Sequence, residues 1–182
     1  MFVNDPVGDA IDQGDARGEV IADDADAELS STDFDVLIGK TATILAALND
    51  GEINQAQFAI TVVVDDDVFD LANVIISDHQ TANAALDEVV RSYGLPFLPS
   101  TTADTLAAEF NAGLADLRAA APEDVDFTYV QLQVIQHAEA QELLDELADE
   151  VGPGAMGDYI ANTRNMIDEH LALSSDLLQT FF

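Results

Sequence analysis

The chain has 182 residues, 36 of them acidic and 5 basic, and a formal net charge of −31. That balance excludes binding to nucleic-acid backbones and to anionic membrane surfaces, both of which need clustered Lys and Arg. Cys is absent, which excludes disulfides, thiolate metal sites and a Cys nucleophile, while the apolar share of 48% is too high for a disordered acidic chain.

Residues 1–31 hold nine acidic residues and Arg17, with no sustained apolar period, and read as an acidic, flexible N-terminal arm. From Thr32, a candidate N-cap, Phe34, Leu37, Ile38, Thr41, Leu45 and Leu48 follow at helical spacing. Asn49-Asp50-Gly51 interrupts this helix as a kink or a break, and the pattern resumes from Glu52 to Val64. Asp65-Asp66-Asp67 supplies a cap and first-turn carboxylates for a second helix from about Asp67 to Tyr93, closed by Gly94 and Pro96. A shorter helix is expected from about Ala103 to Ala120. A long one then runs from Pro122 to about Glu150, Gly152-Pro153-Gly154 stops it, and a last helix spans about Gly157 to Gln179. No segment alternates with period two. The fold class is all-α: an up-down four-helix bundle over residues 32–182, with a short extra helix in the link between the second and third long helices.

Each of the four long helices has an apolar seam in alternating steps of three and four, and each seam carries one chemically distinctive residue. Glu52 lies in Ile38, Thr41, Leu45, Leu48, Glu52, Gln55, Ala59, Val62. His79 lies in Val68, Ala72, Ile75, His79, Ala82, Leu86, Val89, Tyr93. His137 lies in Phe127, Val130, Val134, His137, Gln141, Leu144, Ala148, Val151. His170 lies in Tyr159, Thr163, Met166, His170, Leu173, Leu177. Glu52 and His79 stand equally far from the turn near Asp65, as His137 and His170 do from the turn near Pro153. A uniform rise of about 1.5 Å per residue therefore puts each pair level on antiparallel neighbours. Whether the two pairs share one height depends on how the hairpins dock. Three imidazoles and a carboxylate from four helices suit a divalent transition metal such as Zn, Fe or Cu. The competing reading is a buried hydrogen-bonded network.

Other chemistries fit less well. The helical di-iron signature places Glu three residues before His, and here those positions are Ile76, Val134 and Ile167. Asn49-Asp50-Gly51-Glu52-Ile53 imitates the middle of a calcium loop, but Ala46, Leu48 and Gln57 occupy ligand positions. Nucleophile-elbow, zincin and phosphate-loop patterns do not occur. Asp78 and Glu169, beside histidines in sequence, read as solvated carboxylates or as groups orienting a histidine on another helix.

The stretch from about Leu45 to Leu178 resembles the domain of unknown function DUF4142. The residues that carry the likeness are Glu52-Ile53, Phe69-Asp70-Leu71-Ala72, Ser77-Asp78-His79, Asn83 with Leu86, and Gly94-Leu95-Pro96. Asp126-Phe127-Thr128-Tyr129, His137 and Glu169-His170-Leu171 continue it. The resemblance implies a ferritin-like helical bundle, usually periplasmic or on the cell surface, with no established reaction and with Glu52, His79, His137 and His170 as its characteristic polar positions.

The leading expectation is thus a non-catalytic, exported bundle with a metal in its core. An interaction module with a buried polar network and a metal-dependent redox enzyme stand behind it. No apolar run reaches the roughly 20 residues of a membrane span. The start, Met1-Phe2-Val3-Asn4-Asp5, has no basic leader, which leaves a cytoplasmic protein or a mature exported form; the resemblance favours the second. Asp and Glu in place of Lys are what a protein kept soluble in high salt requires, so a halophilic source is expected. The sequence names no reaction and no oligomeric state.

Overall fold

The computed structural model describes residues 30–182; the N-terminal arm lies almost wholly outside them. The described residues form five α-helices and no strand: α1 (Ser31–Ala59), α2 (Asp66–Tyr93), α3 (Thr101–Ala119), α4 (Val125–Val151) and α5 (Ala155–Leu178), with a short 3₁₀ turn at Gln179–Phe181. None of these helices is long and apolar enough to cross a membrane.

The helix ends follow local chemistry. Ser30, not Thr32, caps α1, its side chain accepting from Asp33 N. Asp65 caps α2 and Ser100 caps α3 in the same way. Gly94 closes α2 at φ 68°, a left-handed conformation that costs glycine least. α4 begins at Val125, three residues later than expected, because residues 122–124 form a turn. α5 begins at Ala155, two residues earlier than expected.

Two sequence expectations about α1 need correction. The helix runs unbroken through Asn49-Asp50-Gly51. Gly51 is there for close approach: a Cβ on it would lie 2.2 Å from Cγ of Phe110, so its bare backbone is the notch that seats α3. The helix also stops at Ala59 rather than Val64. Residues 60–62 turn, and the Asp126 carboxylate at the start of α4 accepts from Val64 N at 2.9 Å and Asp65 N at 3.1 Å. This ties the α1–α2 connection to α4.

α1 and α2 form one antiparallel hairpin and α4 and α5 another. α2 packs against α5, and α3 lies mainly on α1. Their apolar residues form two clusters. One gathers Ile38 to Leu48, Leu86 and Val90 with Leu144, Leu147, Ile160 and Ile167. The other gathers Ala56 and Ala59 with Val68 to Ile75, Leu117, Tyr129 and Val130. On each long helix the distinctive seam residue falls between the two clusters, so Glu52, His79, His137 and His170 occupy a polar layer in the middle of the core. The α4 seam is rotated from the expected one. Tyr129, Gln133, Ala140 and Leu147 are buried, whereas Ala148 is exposed.

Candidate metal centre

The hairpins dock so that both level pairs share one height. One ring nitrogen from each of His79, His137 and His170 lies within 4.8 Å of the others, and all three rings are buried. Ring centroids are 5.2 Å apart for His137 and His170, 5.5 Å for His79 and His170, and 6.1 Å for His79 and His137.

The hydrogen bonds assign a role to each nitrogen. Asn49 Nδ2 donates to Asn83 Oδ1 and to the Tyr159 hydroxyl, which turns its Oδ1 toward His79 Nδ1 at 2.9 Å. His79 Nδ1 therefore carries the proton, and its Nε2 has no partner among the described residues. His137 Nδ1 donates to the Gln133 carbonyl at 3.0 Å. His170 Nε2 donates to Asp78 Oδ2 at 3.0 Å. The nitrogens left over are His79 Nε2, His137 Nε2 and His170 Nδ1, and the last two face each other at 3.2 Å. Each histidine is thus oriented by one outer partner and keeps its other nitrogen uncommitted by that bond, as metal-binding imidazoles usually do. The 3.2 Å separation is close to the ~3.3 Å between two nitrogens on one tetrahedral ion with bonds of ~2.0–2.1 Å.

The electrostatics keep His79 and His137 neutral. Burial and the neighbouring histidines push His79 well below its ordinary range. Burial first, then the charge of His170, takes His137 down to about 3, against a partial rise from the Gln133 carbonyl. Neutral imidazole is the form that binds metals.

Glu52 belongs to the same layer and is completely buried. Its Oε1 lies 3.6 Å from His137 Nδ1, the ring's outer nitrogen, and neither carboxyl oxygen has a hydrogen-bond partner among the described residues. Burial raises its pKa to about 8; the amide of Gln133, which faces it without closing to hydrogen-bond geometry, offsets part of that rise. Tyr129, also buried, is raised well above its ordinary value by burial and by Glu52.

All four residues singled out from the sequence are therefore brought together, the three histidines most closely. Of the two readings of Asp78, the structure supports the one that orients a histidine on another helix. Glu169 is exposed. Asn49, Tyr159 and Gln133 were not singled out. Asn49 falls in the Asn49-Asp50-Gly51 stretch that reads as a kink or break, yet it is fully buried and its side chain is satisfied by polar partners on other helices.

The sequence profile of the family described as "Domain of unknown function (DUF4142)" matches residues 21–177, most of the chain. No curated protein and no solved structure gives a significant match.

Proposed function

The chain belongs to the DUF4142 family, and we propose that it is a metal-binding helical protein that holds one divalent transition ion, Zn, Fe or Cu, through His79 Nε2, His137 Nε2 and His170 Nδ1. The observation that carries this reading is the commitment of three outer nitrogens to Asn49, Gln133 and Asp78, which leaves each ring one nitrogen in a buried cluster of three histidines. Imidazole donors suit these metals. Glu52, raised to about 8 and so protonated near neutral pH in the metal-free protein, would lose its proton on binding and supply the buried negative charge such an ion requires. Its position beside His137 Nδ1 favours orienting that ring and balancing the ion over acting as a fourth equivalent ligand. A self-sufficient polar network explains the layer less well. Glu52, His79 Nε2 and both amide atoms of Gln133 have no partners among the described residues, and unpaired buried polar atoms cost too much to serve structure alone.

In this reading the two hairpins form a ferritin-like up-down four-helix bundle over residues 32–182, with 1–31 as its acidic arm. The protein works outside the cytoplasm in sequestration or stress protection rather than catalysis. The test is metal analysis of protein purified without a polyhistidine tag, with Zn and Co titrations beside it. One equivalent per chain is expected, abolished in His79→Ala/His137→Ala. No bound metal, and a thermal midpoint unmoved by Zn, Cu or Fe, overturns the proposal.

A further inference from the structure

A ladder of buried oxygens leads away from the histidine layer. Among the described residues, Gln55, Gln133 and Gln136 each have an amide oxygen with no partner, and both oxygens of Glu52 are unpaired. Gln55 cannot be relieved by turning its amide, because its nitrogen already donates to the Phe110 carbonyl at 2.8 Å. These groups are contiguous. Glu52 and Gln55 are one turn apart on α1, as Gln133 and Gln136 are on α4, and Gln133 faces Glu52. The amide nitrogens of Gln55 and Gln136 both crowd Gly113 of α3, at 2.7 and 3.0 Å from where its Cβ would stand.

Gln136 also lines a cleft of about 420 Å³ between α1, α3 and α4, with Leu48 and Phe110 in its wall and the exposed carboxylates of Glu109 and Glu139 beside them. From cleft to histidines the order is acidic rim, amide oxygens, buried carboxylate, imidazoles. A chain of neutral carbonyl dipoles followed by a carboxylate replaces the hydration of a cation step by step. A second opening, of about 270 Å³ between α2 and α5, reaches Asp78. The hydrogen bond between Asp78 and His170 Nε2 closes its inner side, and it has no comparable row of free acceptors.

We propose that the cleft between α1, α3 and α4 is the port for the divalent cation, and that Gln136, Gln55, Gln133 and Glu52 form the conduit by which it reaches and leaves the histidines. The proposal rests on the metal-site reading above. Gly113 is the narrow point of the conduit, where a side chain would press the two amides together.

Stopped-flow loading of the metal-free full-length protein with Co(II), and release to a chelator, tests it. Gln136→Leu removes one carbonyl without touching the histidines, and Gly113→Ala narrows the passage. Both should slow loading and release together, by about tenfold for an added barrier of ordinary size, and leave Kd nearly unchanged. A residue that only shapes the site moves Kd instead. Ala85→Phe, which fills the α2–α5 opening, should leave both rates as they are. Unchanged rates in a folded Gln136→Leu protein, or slowing by Ala85→Phe, overturn the conduit while the metal site stands. A wild-type protein that binds no Co(II) at equilibrium overturns both.

Discussion

Nε2 of His137 and Nδ1 of His170 face each other at 3.2 Å, although each ring already spends its proton on an outer acceptor, the Gln133 carbonyl and Asp78. Two lone pairs at that distance repel. Without a cation between them, one ring must give up its outer hydrogen bond or take up a second proton. Burial and the charge of its neighbour make protonation of His137 unfavourable. In the proposed reading a metal ion would relieve the pair, and the outer partners would set its affinity.

Asp78→Ala is expected to weaken metal binding by about 10- to 100-fold, the usual cost of losing a group that orients a ligating histidine. Glu169→Ala, one residue before His170 but exposed, should leave Kd unchanged. Isothermal titration of both variants checks the contrast, and equal effects contradict the assigned role of Asp78.

The metal-free protein should be most stable near pH 6.5. Glu52 is raised from 4.5 to about 8, so above pH 4.5 the folded state keeps a proton that the unfolded chain releases, and stability falls as pH rises through that window. His79 and His137 are lowered from 6.5, so below 6.5 the unfolded chain binds protons that the folded state refuses, and stability falls as pH drops. Two histidines outweigh one carboxyl below 6.5, and the carboxyl outweighs them above it. The decline between pH 6.5 and 8 should be steepest near pH 7.5, at roughly half of the ~1.4 kcal/mol per pH unit that one whole proton carries, and vanish in Glu52→Gln. Urea midpoints across this range decide it; a midpoint that still climbs from pH 6.5 to 8 contradicts it.

Gly51→Ala should destabilise the fold by about 1–3 kcal/mol through overpacking, because the added methyl collides with the Phe110 ring. Ala is otherwise the better helix former, so a stabilised Gly51→Ala protein would mean that α3 does not seat in this notch. Phe110→Leu should recover part of the loss.

Asp126→Ala should cost about 1–3 kcal/mol, since it leaves two backbone N–H groups, at Val64 and Asp65, without their charged acceptor. Hydrogen exchange of these two amides should rise more than that of the α5 core, which separates loss of the tie from general loosening.

A net charge of −31 on 182 residues predicts stability that rises with ionic strength as screening offsets self-repulsion. A thermal midpoint indifferent to KCl between about 0.1 and 2 M would remove the reason for assigning the protein to a high-salt environment.

Helical periodicity is a local property, and it was legible in the chain. It placed five helices, buried Glu52 and the three histidines, and levelled each pair within its own hairpin. It misread Gly51, because close approach by a distant ring leaves no local mark. It also rotated the α4 seam, where Gln133 looks like any surface amide. Docking settled the rest. Packing of α2 on α5 and the tie from Asp126 to the α1–α2 turn set the relative height of the two hairpins, and thereby merged two level pairs into one layer. The choice of ring nitrogen followed from acceptors as far away in sequence as Asp78 from His170. Such register between non-consecutive helices depends on side-chain fit across the whole core, which spacing along the chain does not encode.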